Sequence, residues 1–213
     1  MRQSPKVVPI SAAKAHRPKR VSGTVPNRKA NDAVRTRSHL TEDEVLRIQK
    51  VAKQGRYGPR DHLMVLMAFR HGLRVSELVD LKWSDVDFKA GTVHIRRLKG
   101  SSDATHYLEG DEIRPLKAIL KASDSPYVFT SERGGPISAA GFRKQLSRWA
   151  EKAKIGFPVN PHMLRHACGY ALANRGMDTR SLQAYLGHKS IQHTVRYTEM
   201  SPTRFKGIWR KKP

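Results

Sequence analysis

Apolar residues recur at helical spacing along most of the chain from residue 41 onwards. The sequence TEDE at 41–44 matches a capping box, with Thr41 as the N-cap and Glu44 three residues later. The apolar residues Val45, Ile48 and Val51 then continue one face of a predicted helix. Further helix starts are predicted, in chain order, near Pro59, Ser76, Glu112, Ser138, Pro161, Asp178 and Ser190.

Between the third and fourth predicted helices the pattern changes from a helical period to alternation. Short alternating segments at 86–88, 91–98 and 105–108 predict β-strands, with turn residues between them. We therefore expect a mainly α-helical domain with a small antiparallel β-sheet inserted early. The pattern shows neither an internal repeat nor a clear second domain.

The chain divides into three predicted parts. Residues 1–38 contain ten basic residues and one acid, interleaved with Pro, Ser and Gly, which predicts a flexible, DNA-contacting arm. The alternatives are a solvated tail or a misplaced translation start. Residues 39–200 form the predicted domain. In the tail at 201–213, Phe205, Ile208 and Trp209 form one apolar stripe on a predicted short basic helix, and packing on its own domain is one interpretation of that stripe.

Composition narrows the class of protein. The 213 residues include 41 Lys and Arg against 18 Asp and Glu, a formal net charge of +23 that favours a polyanion as partner. The sequence shows neither an apolar run that could span a membrane nor a secretory signal. Cys168 is the single cysteine, which excludes an intramolecular disulfide and fits a reducing cytoplasm. We expect a cytoplasmic protein.

The candidate chemistry is concentrated near the C-terminus. The sequence PHMLRHACGY at 161–170 places His162 and Arg165 on one helix face, and His188 and Tyr197 follow at 186–199. Upstream, HGLRVSEL at 71–78 supplies an arginine and RRLKG at 96–100 a lysine. Any one of these side chains alone is more typical of a surface ion pair, a solvated turn or core packing. Their combination is what suggests phosphoryl transfer.

Arg74, Lys99, His162, Arg165, His188 and Tyr197, in this order, resemble the motif of the tyrosine recombinases, or phage-integrase family. The resemblance covers residues 39 to about 210 and includes the small single-domain members that invert promoter segments of fimbrial genes, through ALANRGMDTR at 171–180 and HTVRYT at 193–198. It implies the recombinase catalytic-domain fold, and it suggests that the predicted helix in the tail at 201–213 docks on a neighbouring protomer. No separate core-binding domain is expected ahead of it, only the basic arm.

The resemblance also implies a role for each residue. Tyr197 would attack the scissile phosphate, and Arg74 and Arg165 would stabilise the transition state. His162 and His188 would assist, and Lys99 would protonate the departing 5′-oxygen. Among the other candidates, Tyr185 is the strongest rival nucleophile, Glu77 would orient an arginine or cap a turn, and His166 and His193 would be structural or phosphate-contacting neighbours.

The resemblance further implies a site-specific recombinase that acts through a 3′-phosphotyrosyl intermediate and a Holliday junction. The expected partners are double-stranded DNA, a homo-tetramer on synapsed DNA and an accessory DNA-bending protein, at the bacterial nucleoid. Neither a metal nor a cofactor is expected, because the sequence lacks a phosphate-binding loop and paired carboxylates. The alternatives are a relaxing enzyme like type IB topoisomerases, a non-cleaving DNA-binding regulator and, less favoured, a metal-dependent nuclease.

Overall fold

The helices and the sheet follow one another in the order that the sequence pattern predicts. The computed structural model describes residues 37–97 and 101–199. The described helices are α1 Glu42–Lys53, α2 Gly58–Arg70, α3 Val75–Val79, α4 Gly110–Lys121, α5 Ala139–Lys152, α6 Pro161–Asn174, α7 Thr179–Leu186 and α8 Gln192–Glu199. A 3₁₀ turn at Trp83–Asp85 leads into the strands β1 Val86–Asp87, β2 Thr92–Ile95 and β3 Ala104–Tyr107.

The start of α1 is fixed by the capping box that the sequence contains. The Thr41 hydroxyl accepts a hydrogen bond from the Glu44 amide at 3.2 Å, and the Glu44 carboxylate accepts one from the Thr41 amide at 2.8 Å. Two of the donors that every helix start leaves without a partner are thereby satisfied. Ser138, Asn160 and Asp178 cap α5, α6 and α7 through their side chains in the same way.

The three strands form one antiparallel sheet in the order β1-β2-β3. Val86 pairs with Val93, and Ile95 pairs with Ala104. Val93 and Ile95 are buried while His94 between them is partly exposed, as expected for a sheet with one face on the core. The prediction of a mainly α-helical fold with a small antiparallel sheet is confirmed.

Helix α2 lies at the centre of the main core. Its residues Leu63, Met64 and Met67 are completely buried, and the helix packs against α1, α4 and α6. A second, smaller apolar cluster joins α6, α7 and α8 through Cys168, Leu182, Leu186 and Tyr197. This second cluster brings the C-terminal histidine, arginine and tyrosine motif against the end of α2.

Some predictions concern residues outside the described ranges. They are the basic arm up to residue 36, Lys99 in the segment 98–100, and the tail at 200–213. The proposed limits of the arm and tail therefore stay predictions. Among the residues that the structure describes, every helix is too short or too polar to cross a lipid bilayer.

Candidate active site

Five of the six predicted site residues lie in the described part of the chain. Arg74 and Arg165 are near enough to His188 to lower its pKa, and Arg165 also acts on Tyr197. Arg74 is the residue just before α3, His162 and Arg165 lie in α6, His188 follows α7, and Tyr197 lies in α8. Lys99 lies outside the described residues, so its place in the site stays a prediction.

Arg165 is the central charge of the group. Its guanidinium is buried and donates to the backbone oxygens of Gly72 and Leu186, both at 2.6 Å. Burial, together with the nearby charges of Arg97 and Arg74, lowers the pKa of Arg165 to about 10. The group is still protonated near neutral pH, and it joins the end of α2 to the end of α7.

Arg74 and Arg97 share the carboxylate of Glu77. The distances are 2.7 Å from Arg74 Nη1 to Glu77 Oε1 and 2.6 Å from Arg97 Nη1 to Glu77 Oε2. Glu77 also accepts from the Arg74 backbone amide at 2.8 Å, so it both orients an arginine and caps α3. Arg97 further donates to the backbone oxygen of Tyr185 at 2.8 Å.

Arg97 is not among the predicted site residues, although the sequence contains a signal for it. Positions 93, 95 and 97 share one face of a strand, and Val93 and Ile95 of that face are buried core residues. The Arg97 side chain is accordingly buried, where it needs a carboxylate partner. Its charge contributes to lowering the pKa of both Arg165 and His188.

His188 follows Gly187, a position at which a larger residue does not fit. Gly187 ends α7 with a φ of +65°, and a Cβ there would lie 2.8 Å from the Ser102 backbone oxygen. His188 Nδ1 lies 2.9 Å from the Thr194 hydroxyl oxygen, which fixes one edge of the ring. Burial, followed by the charge of Arg165, lowers the pKa of His188 to about 3, so the imidazole is neutral near neutral pH.

The exposed fraction of Tyr197 is only 1%, and residues of the same motif surround it. Its ring packs so closely on α6 that a Cβ at Gly169 would lie 2.8 Å from ring atoms Cε1 and Cζ. The rings of His188 and Tyr170 pack against it at centroid distances of 6.2 Å and 5.0 Å. Burial raises the pKa of Tyr197 to about 12, and the charges of Arg165 and Arg196 oppose that rise.

His166 lies closer to Tyr197 than the sequence indicates. It is predicted to be structural or to contact phosphate, but its Nδ1 lies 2.7 Å from the Tyr197 hydroxyl oxygen. His162, one helical turn earlier and exposed, meets the His166 ring edge-on at a centroid distance of 4.6 Å. The spacing of four residues along α6 is the available signal, because it places both rings on one helix face.

The rival tyrosine and the other histidine have different surroundings. The Tyr185 hydroxyl donates to the Arg70 backbone oxygen at 2.9 Å, and its ring stacks on His106 at 3.8 Å between centroids. Burial raises the pKa of Tyr185. His193 is exposed, and its ring lies 6.1 Å from that of His188. Within 37–97 and 101–199, no three His, Cys, Asp or Glu side chains converge as metal ligands would.

Sequence comparison places the chain among known proteins. The sequence profile of the phage integrase family matches residues 38–204. The type 1 fimbriae regulatory protein FimB of Escherichia coli K12 is 41% identical over 179 residues, which cover 81% of this chain and 90% of that protein. The tyrosine recombinase XerA of Pyrococcus furiosus is 35% identical over 172 residues, which cover 78% of this chain and 59% of that protein.

The solved structures that resemble this chain are also recombinases. The crystal structure of XerA recombinase superposes with a TM-score of 0.69 at 28% identity and covers 82% of this chain and 66% of that one. The XerH site-specific recombinase, in its pre-cleavage complex with difH substrate, superposes with a TM-score of 0.67 at 25% identity. The match covers 79% of this chain and 52% of that one. The chain thus spans about two thirds or less of these larger proteins.

Proposed function

Because the chain belongs to the phage integrase family and is a tyrosine-type site-specific DNA recombinase, we propose that Tyr197 is its nucleophile and that Arg74, Arg165, His162 and His188 serve the reaction. One observation carries this assignment. The Tyr197 ring is enclosed by His188 and α6, and the buried charge of Arg165 is near enough to oppose the rise of the phenol pKa.

The cleavage step follows from the chemistry of a phosphodiester. The Tyr197 oxygen forms a bond to phosphorus, the bond from phosphorus to the 5′-oxygen breaks, and the 3′-phosphate stays on the tyrosine. Arg165 and Arg74 offset the charge on the non-bridging oxygens, a type of interaction whose loss costs about 10²- to 10³-fold in rate. Lys99 is the proposed donor of the proton that the 5′-oxygen takes up. A deoxyribose hydroxyl reverses these steps and rejoins the strand.

The proposed substrate is double-stranded DNA. The chain has a formal net charge of +23, and its structural relatives include XerH bound to difH substrate. Exchange of two strand pairs would need four protomers on two synapsed duplexes and would proceed through a Holliday junction at the nucleoid. We include that tetramer and an accessory DNA-bending protein in the proposal. The placement of the two sites then determines whether DNA is inverted, integrated or excised.

Covalent trapping tests this assignment directly. Nicked duplexes that tile the DNA on both sides of the chain's own gene are incubated with protein in EDTA and separated on a denaturing gel. We expect a slow protein–DNA band with the wild type and none with Tyr197→Phe, which removes only the nucleophilic oxygen. Tyr185→Phe is the matched control, because the Tyr185 hydroxyl is hydrogen-bonded to the Arg70 backbone oxygen. It should still give the band.

Each other result would contradict a specific part of the proposal. Firm DNA binding without cleavage or any covalent band would favour the non-cleaving regulator. Cleavage without a covalent band that occurs only when EDTA is left out would favour a metal-dependent nuclease. A band that survives Tyr197→Phe but not Tyr185→Phe would exchange the roles of the two tyrosines. Sequence-independent relaxation of plasmid DNA by single protomers would favour a topoisomerase-like activity.

A further inference from the structure

The hydrogen bond between Tyr197 and His166 brings a titratable ring to the oxygen that is proposed to react. The 2.7 Å distance from the Tyr197 hydroxyl to His166 Nδ1 is short for a hydrogen bond to nitrogen. In a neutral imidazole one ring nitrogen carries the proton and the other accepts. The direction of this bond therefore depends on which nitrogen of His166 is protonated.

We propose that His166 Nδ1 accepts the phenolic proton of Tyr197 as the phosphotyrosyl bond forms. This proposal rests on Tyr197 being the nucleophile. The step is balanced, because the proton leaves the phenol for Nδ1 while the bond between oxygen and phosphorus forms. The 5′-oxygen takes its proton from a different group. In the reverse reaction, His166 returns the proton to Tyr197 as the strand is rejoined.

The groups around His166 keep its ring neutral before DNA binds, and they also make it a weaker base. His162 and Arg165 of the same helix, Arg196 of α8 and His39 before α1 are the titratable and charged groups that act on it. Burial, followed by the effect of His162 and these neighbours, lowers the pKa of His166 to about 3, so its ring is neutral. A bound phosphate would offset the arginine charges and raise its basicity when the proton has to move.

The hydrogen bond also orients the nucleophile. With its hydrogen directed at Nδ1, the phenolic oxygen keeps its lone pairs for the side away from His166. This is the arrangement of an activated hydroxyl and its base. The other buried histidine of the site is less suited to this role. His188 has its Nδ1 at 2.9 Å from the Thr194 hydroxyl, and its ring stacks nearly parallel to that of Tyr197 at an interplanar angle of 19°.

The first test needs no DNA. Nitrogen chemical shifts of the histidine rings in the wild-type protein report which nitrogen of His166 carries the proton. We expect the proton on Nε2 and an accepting Nδ1, and we expect Tyr197→Phe to change the shift of Nδ1 alone. A proton on Nδ1 in the wild type would mean that His166 donates to the phenol, and the proposal would be wrong whether or not the protein cleaves any DNA tested.

The second test measures the reaction. His166→Asn keeps a hydrogen-bond acceptor near the position of Nδ1 but cannot take a proton. His62→Asn is the matched control, at a partly buried histidine of α2 that lies outside the site. The probe is the duplex that the trapping experiment identifies, with sulfur in place of the scissile 5′-oxygen. A thiolate leaves without a proton, so single-turnover cleavage of this duplex bypasses the acid step.

We expect His166→Asn to slow cleavage of the sulfur probe by about 10²- to 10⁴-fold at neutral pH, the usual contribution of a general base. The deficit should shrink as pH rises, because hydroxide then removes the phenolic proton. His62→Asn should stay within about threefold of wild type. A His166→Asn deficit below about threefold, or one equal at every pH, would contradict proton transfer and indicate packing alone. Wild-type protein that never gives a covalent band would instead contradict the proposed function.

Discussion

At the scale of single residues, the site depends on how buried charges are compensated. Glu77 is the only carboxylate that the structure records in an ion pair with Arg74 or Arg97, within the described residues. The Arg97 side chain is completely buried, so without Glu77 its charge would be buried without a partner. Glu77 therefore holds two arginines in place, whereas Arg165 donates to backbone oxygens and in the proposed reaction faces a phosphate.

Replacing Glu77 with Gln should destabilise the fold at neutral pH. The amide keeps the shape but removes the charge that compensates Arg97, and breaking such a buried pair costs about 3–5 kcal/mol. Urea unfolding of both proteins measures the difference in the free energy of unfolding. Glu132→Gln is the matched control, because Glu132 pairs with Arg56 at an exposed site. It should change stability by less than about 0.5 kcal/mol.

The difference in stability between wild type and Glu77→Gln should depend on pH. Burial alone would raise the pKa of Glu77, but the charge of Arg97 and the hydrogen bonds from Arg74 outweigh burial and hold the pKa below its ordinary 4.5. A lowered folded-state pKa stabilises the fold above about pH 4.5, and this stabilisation is lost as pH falls through the folded-state value. The gap between wild type and Glu77→Gln should shrink below pH 4.5, and a constant gap would contradict the charge argument.

At the scale of helices, α6 and α8 set the position of the proposed nucleophile, Tyr197, through their close approach. Gly169 of α6 leaves room for the Tyr197 ring, and no side chain larger than hydrogen fits between them without movement. The ring is held from other directions by His188 and Tyr170, so it cannot simply rotate away. A methyl group at position 169 must therefore displace α8 or the ring.

Gly169→Ala should reduce cleavage more than it reduces stability. Alanine gains about 1 kcal/mol of helix propensity, which partly offsets an overpacking cost of about 1–3 kcal/mol. A displacement near 1 Å of the reacting oxygen, however, can cost up to about 100-fold in rate. Covalent-complex formation and thermal unfolding measure the two effects. Gly110→Ala is the control, because a Cβ at this first residue of α4 meets nothing within 4 Å. If Gly169→Ala cleaved DNA at the rate of this control, the packing argument would be contradicted.

The sequence predicts the helices and strands better than it predicts the contacts between site residues. Helix starts at Thr41, Ser138 and Asp178 can be recognised because capping acts within three or four residues. The bond from His166 to Tyr197 joins residues 31 positions apart. It depends on how α8 packs on α6, which periodicity does not encode. The alternation at positions 93, 95 and 97 can indicate that Arg97 is buried. It does not indicate that the partner is Glu77, which lies 20 residues earlier.

At the scale of the whole molecule, the positive charge is unevenly distributed along the chain. The predicted arm at 1–38 contains ten of the 41 basic residues but only one of the 18 acids. The rest of the chain holds nearly all of the acids, and several of them, such as Glu77 and Glu112, form buried ion pairs within the domain. The arm therefore has a net charge of +9 on 38 residues, against +14 on the other 175, so its positive charge is the denser and is little offset by acids.

We expect the arm to contribute to affinity through counterion release and not to the chemical step. Replacing Arg17, Lys19 and Arg20 with Gln in the full-length protein should lower the slope of log affinity against log salt by up to about 0.9 for each phosphate that the arm no longer neutralises. Gln at the neutral positions Ser11, Ser22 and Thr24 is the matched control and should leave the slope unchanged. Because the site residues lie elsewhere, cleavage at saturating DNA should equal that of the wild type. An unchanged slope would make the arm a solvated tail, whereas slower cleavage at saturation would mean that it positions the scissile phosphate as well.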